Sequence, residues 1–133
     1  MKKFRQIALL LLVAVLAVGL SGCGEQKKEE EHADFAYVMN STNEYARIVR
    51  YKGEGAEVVI PDTLNGKPVK EIGQYTFFNS PQVTSISIPA SVTKIEDLSF
   101  YTLPKLEKIT VAEESVGFIA VDNVLYHKKM GTI

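Results

Sequence analysis

Ile72-Gly-Gln-Tyr-Thr-Phe77-Phe-Asn-Ser-Pro81-Gln-Val83-Thr-Ser-Ile86-Ser-Ile88 decides the fold, because the chain writes it a second time. The second copy runs Ile95-Glu-Asp-Leu-Ser-Phe100-Tyr-Thr-Leu-Pro104-Lys-Leu106-Glu-Lys-Ile109-Thr-Val111. Val69, Ile72, Phe77, Pro81, Val83, Ile86 and Ile88 each recur 23 residues later as Val92, Ile95, Phe100, Pro104, Leu106, Ile109 and Val111. The residues between these anchors vary freely while the anchors stay in register. The unit is therefore a structural repeat.

A 23-residue period falls within the 20–29 residues of leucine-rich repeats. The expected fold is a repeat solenoid of that type, mostly β with short helical turns between strands. Period-two alternation points Val83, Ile86 and Ile88 inward, with Leu106, Ile109 and Val111 beneath them. Ser85, Ser87, Lys108 and Thr110 then point outward. Residues 74–79 and 97–102 are each long enough for one helical turn, which Pro81 and Pro104 end by forcing the preceding residue toward extended geometry. Phe77 and Phe100 are the wedges that fill the interior. Burying a side chain of this size stabilises by ~1.5–3 kcal/mol, provided the neighbouring repeat covers it.

Upstream, Val58-Val-Ile60-Pro61 repeats Ile86-Ser-Ile88-Pro89 at an offset of 28. The additional five residues fit Leu64-Asn-Gly-Lys-Pro68, where Asn65-Gly66 favours a tight turn. Phe35 to Met39 and Tyr45 to Tyr51 suit two strands of an opening hairpin region over 35–60, and the repeats run over about 58–111. Phe118 falls 23 residues after Ile95, and the last segment reads as a hairpin turning at Asp122-Asn123. Residues 112–133 are thus an incomplete repeat or a cap, and an incomplete member of a longer architecture is the favoured reading.

Residues 1–22 have the parts of an export signal: Lys2, Lys3 and Arg5, then an apolar run from Ile7 to Leu20. That run makes roughly 21 Å of helix, short of the ~30 Å hydrocarbon core of a bilayer. Leu20-Ser21-Gly22-Cys23 resembles the lipobox of bacterial lipoproteins, which implies a lipid, palmitate among its acyl chains, on Cys23. Two acyl chains at ~0.8 kcal/mol per buried methylene anchor stably. Residues 24–34 (GEQKKEEEHAD) lack hydrophobic periodicity and read as a disordered charged spacer, with His32 solvated. Cys23 is the one cysteine, so an intramolecular disulfide is excluded.

Set beside these residues, Ile72-Gly-Gln-Tyr-Thr-Phe77 and Val83-Thr-Ser-Ile86-Ser-Ile88-Pro89-Ala-Ser-Val92-Thr-Lys-Ile95 resemble the BspA-like leucine-rich repeats of bacterial surface proteins. The segments around Val58-Val-Ile60-Pro61, Asn65-Gly66-Lys67-Pro68-Val69 and Val121-Asp-Asn-Val-Leu-Tyr126 are similar to other features of that family. The resemblance covers about 45–133 and implies a cell-surface protein associated with adhesion to host or matrix proteins. It brings no catalytic residues. Family members commonly carry a cysteine where this chain has Ser80 and Leu103. Glu96 replaces a glycine and Ala112 a proline in the second copy, which leads us to expect looser turns there.

Once the signal segment is set aside, 12 basic face 16 acidic side chains. A mildly acidic domain without a basic stripe lacks the clustered Lys and Arg that phosphate backbones require, so nucleic acid is not the expected partner. Neither histidine sits in metal-ligand spacing, and His127 beside Lys128 and Lys129 reads as a solvated basic turn. No nucleophile elbow or phosphate loop is present. No enzyme, cofactor or metal is expected. The candidate binding face is the outward strand surface, with Glu57, Ser85 and Lys108 in one column and Val59, Ser87 and Thr110 in the next. Tyr75 and Tyr101 are contact candidates on the turn side. The expected protein is an exported surface lipoprotein, anchored to the bacterial membrane through Cys23 and facing the extracellular or periplasmic side. It would act as a protein-binding or adhesion module. The alternative is a non-catalytic fragment or structural unit of a longer array, completed by another chain at its open end.

Overall fold

The computed structural model describes residues 29–129 and 131–132 of the 133-residue chain. The expected export signal, Cys23 and the first part of the expected spacer lie outside these residues. Within them the chain forms strands and turns and no helix. The strands are β1 (Glu30–His32), β2 (Phe35–Met39), β3 (Ala46–Tyr51), β4 (Glu57–Val59), β5 (Thr63–Leu64) and β6 (Lys67–Ile72). They continue as β7 (Ser85–Ile88), β8 (Lys94–Ile95), β9 (Lys108–Val111), β10 (Phe118–Val121), β11 (Val124–His127) and β12 (Gly131–Thr132).

Two parallel ladders face one another across the core. On one side β4, β7 and β9 pair in parallel, with Val58 beside Ile86 and Ile86 beside Ile109. On the other, β3, β6 and β8 pair in parallel, with Ile48, Ile72 and Ile95 in one row. The 28-residue offset between Val58 and Ile86 is the register observed. Its additional residues form the β5–β6 hairpin, where Asn65 and Gly66 both take positive φ. A two-residue turn of that kind matches the right-handed twist of its strands.

The turns between ladders are not helical, contrary to the expectation for 74–79 and 97–102. Tyr75, Asn79, Leu98 and Thr102 adopt φ of 56°, 64°, 61° and 62°. A right-handed turn needs successive negative φ, so a left-handed residue at each end prevents one. The cost for a non-glycine residue is ~1–2 kcal/mol. It is borne at equivalent positions of both copies.

The spacer is shorter than expected. Glu30–His32 joins the sheet as β1, antiparallel to β2. The edge of β2 offers unpaired backbone groups, and an extended charged segment satisfies them. The Tyr37 hydroxyl donates to Glu30 at 2.9 Å and Arg50 pairs with Glu29 at 2.7 Å.

One aromatic per repeat builds a row through the interior. Phe35 meets Tyr51 at 5.4 Å, Tyr51 meets Phe77 at 5.6 Å, and Phe77 stacks on Phe100 at 5.6 Å between ring centroids. Beside it runs a row of buried hydroxyls. Thr76 donates to the Gly73 and Ile48 carbonyls, and Ser99, 23 residues on, to those of Glu96 and Ile72. Each hydroxyl ties its own turn to the preceding repeat, which removes the penalty for burying it.

The far end holds the expected hairpin. β10 and β11 pair antiparallel around Asp122 and Asn123, both at positive φ. Phe118 and Leu125 are buried against the last repeat, and the Gly117 carbonyl accepts from the Lys128 N–H at 2.9 Å. His127 is not a solvated turn residue. It sits half-buried in β11, its ring edge-on to Phe118 at 5.1 Å, and Nδ1 accepts from the Lys129 N–H at 3.1 Å.

Candidate functional site

The six outward residues named from the sequence come together on the β4–β7–β9 face. Parallel register sets Glu57, Ser85 and Lys108 in one column and Val59, Ser87 and Thr110 in the next. The cause is local: each strand alternates, so Val58, Ile86 and Ile109 take the core side and their neighbours take the other. The Thr110 hydroxyl donates to Ser87 Oγ at 3.0 Å, linking two strands across the face. Small side chains in the middle strand leave a concavity of about 350 Å³, flanked by Thr84 and Glu107. Val59 stands 71% exposed at one edge. With Glu57 at one end and Glu107 and Lys108 at the other, the face is polar and shallow.

A second surface lies on the turns. Tyr75 touches Phe78 and Tyr101 edge-on, at 6.4 Å and 6.3 Å between ring centroids. All three are exposed, as is Leu98. Below them a groove of about 560 Å³ is lined by Phe78, Asn79, Pro81, Thr102, Leu103 and Pro104. Tyr75 and Tyr101 were legible as contact candidates, whereas Phe78 and Leu98 were not singled out. The signal was present: Tyr75 and Leu98, like Phe78 and Tyr101, are 23 residues apart. Tyr75 and Leu98 are themselves left-handed, and Phe78 and Tyr101 each precede a left-handed residue, Asn79 and Thr102.

On the opposite ladder an ion-pair network crosses three repeats. Arg47 pairs with Glu96 at 2.5 Å, and Glu96 also accepts from the Gln74 N–H at 3.0 Å. Lys94 lies 3.4 Å from Glu96 and 3.6 Å from Glu71, which accepts from the Tyr45 hydroxyl at 2.8 Å. Desolvation pulls the Glu96 carboxyl up, but the Gln74 N–H, Arg47 and Lys94 outweigh it and hold the group below its ordinary 4.5. Gly73 makes room for this. A Cβ there would meet the Ile48 carbonyl oxygen at 2.9 Å and Arg47 Nε at 3.1 Å. The turn expected to loosen around Glu96 is therefore tied down by it. Ala112 likewise gains a bond that proline cannot make, its N–H donating to the Ile88 carbonyl at 3.0 Å. Among the described residues no three His, Cys, Asp or Glu side chains gather as a metal-binding group.

Parallel ladders repeating every 23 residues around rows of aliphatic and aromatic side chains define a leucine-rich-repeat fold. The BspA-type leucine-rich repeat region matches residues 56–125 in six copies, more than half of the chain. The chain belongs to that family.

Solved structures agree with this assignment. A leucine-rich-repeat protein of T. pallidum is 32% identical, with a TM-score of 0.57 over 62% of this chain and 38% of its own. A leucine-rich cell surface protein of Faecalibacterium prausnitzii is 28% identical, with a TM-score of 0.58 over 65% of this chain and 24% of its own. A Bacteroides capillosus leucine-rich-repeat protein shares the fold at 20% identity, with a TM-score of 0.58 over 64% of this chain and 66% of its own. The chain spans well under two thirds of the first two proteins' length. No curated protein matches it.

Proposed function

We propose that this chain is an exported, lipid-anchored surface protein that binds protein partners through a short leucine-rich-repeat solenoid. The observation that carries the reading is the alignment of Glu57, Ser85, Lys108, Val59, Ser87 and Thr110 in two columns over one concavity. Such a face accepts an extended segment, giving its polar groups partners at successive repeats. The Tyr75, Phe78 and Tyr101 ledge supplies the aromatic contact area on which binding hot spots draw. Export is supported by the charged and apolar segments of residues 1–20, and anchoring by Ser21-Gly22-Cys23. The cell-surface relative from F. prausnitzii is in keeping with export. Host, matrix or neighbouring cell-surface proteins are the partners such a position makes available. A face this small binds modestly, and crowding of many copies on a membrane supplies avidity.

The test displays the intact protein on cells and measures retention on matrix- and host-protein surfaces. Substituting Ser85→Arg and Ser87→Arg together should reduce retention to the level of cells lacking the domain. Retention equal to that control in the unsubstituted protein would reject adhesion. Separately, Cys23→Ala should move the protein out of the membrane fraction, and unchanged partition would reject the lipid anchor.

A further inference from the structure

The β10–β11 hairpin has two faces, and the stack of repeats uses only one. Cross-strand pairing sets Phe118 opposite His127 and Ala120 opposite Leu125 on the face that meets the last repeat. Ile119 opposite Tyr126 and Val121 opposite Val124 then occupy the other face. Ile119, Val121 and Val124 are 45%, 48% and 40% exposed. A sheet face of three aliphatic side chains and a tyrosine, held rigid by the burial of Phe118 and Leu125, is displayed away from its own repeats. Apolar patches of this kind mark interaction sites.

The charges at the two ends of this face indicate what covers it. Asp122 is exposed at the tip of the hairpin, and Lys129 is exposed at its base. A two-fold axis lying in the plane of the apolar face and perpendicular to its strands lays two hairpins face to face and antiparallel. It sets Asp122 of each copy beside Lys129 of the other, with Ile119, Val121 and Val124 between. An apolar centre with opposite charges at its ends is self-complementary under two-fold symmetry, and symmetric pairing is the commonest form of self-association. Head-to-tail stacking lacks that drive, because Phe35, Tyr37, Tyr51, Val58 and Ile60 at the other end are already buried.

We infer that the hairpin is a homodimer interface, in which a second copy of this chain packs face to face on Ile119, Val121, Val124 and Tyr126. One hairpin face is smaller than the ~800 Å² per partner of standard interfaces. Dissociation in the range of tens of micromolar, roughly −6 to −7 kcal/mol, is therefore expected.

The full chain in neutral detergent, followed by sedimentation velocity over a concentration series, tests this. The unsubstituted chain should pass from monomer to dimer, and Ile119→Asp with Val124→Asp should abolish the transition while circular dichroism keeps the strand signal. Association through any other segment is common to all variants and cancels from the comparison. Asp122→Lys and Lys129→Asp should each weaken dimerisation at least threefold. An equimolar mixture of the two should restore it, since each copy then offers the charges the other lacks. A monomer throughout the series would overturn the proposal, as would a dimer untouched by the double aspartate variant. A mixture no tighter than its components would overturn the two-fold arrangement.

Discussion

The two copies, 72–88 and 95–111, carry the same anchors in the same register and end in different environments. In the first, Ile72, Phe77, Val83, Ile86 and Ile88 are all buried, Phe77 with nothing exposed. In the second, Ile95, Phe100, Leu106, Ile109 and Val111 are only partly buried. Sequence within a repeat does not account for the difference. The first copy has a repeat on either side, whereas the second has one on one side and the hairpin on the other. In a quasi-one-dimensional stack each unit is stabilised chiefly by its neighbours, so an anchor's worth depends on its place in the row.

The largest expected effect breaks this symmetry directly. Phe77→Ala should cost ~3–5 kcal/mol in urea unfolding, and Phe100→Ala less, because part of its surface is already in water. Equal costs would mean that burial in the stack is not what distinguishes the copies.

Much of this architecture could be read from the chain. The period, the inward rows, the Asn65-Gly66 hairpin and the two columns of the candidate face all follow from spacing and alternation, since both are properties of the backbone. What could not be read depends on side chains meeting across repeats. Tyr51 joins the aromatic row although it stands 26 residues before Phe77, outside the period. Glu96 looked like a lost glycine, because nothing local to it announces that Arg47, 49 residues earlier, will cross over Gly73 to reach it. The turns looked helical because Tyr75, Leu98 and Thr102 are residue types that rarely take left-handed φ. Glu30–His32 looked disordered because its partner is an edge, which composition does not reveal.

Smaller effects sharpen the comparison at equivalent positions. Gly73→Ala places a methyl group against the Ile48 carbonyl and the Arg47 side chain. It should cost ~1–2 kcal/mol in the same unfolding assay, as close overpacking does. Glu96→Gly, at the matching position of the second copy, should also destabilise, because there the side chain is the tie and not the obstacle.

The smallest effect is pH-dependent. A carboxyl whose folded pKa is lowered binds protons more weakly folded than unfolded, so its contribution to stability is complete above the unfolded value. It is lost as pH falls through the lowered folded value. For Glu96 that window lies below the ordinary 4.5. Glu96→Gln should therefore cost ~1 kcal/mol at neutral pH and progressively less as falling pH protonates the carboxyl. A penalty independent of pH would remove the ion pair from the explanation.

Native-state hydrogen exchange of the two matched strands tests most directly whether neighbours set the stability of each repeat. The Ser85 amide of β7, which donates to the Ala56 carbonyl, should exchange only through global unfolding, while the Lys108 amide at the matched position of β9, which donates to the Thr84 carbonyl, exchanges through a smaller opening of the stack's end. Protection equal in β7 and β9 would contradict the account, because the copies would then be stabilised by their own sequence and not by their place.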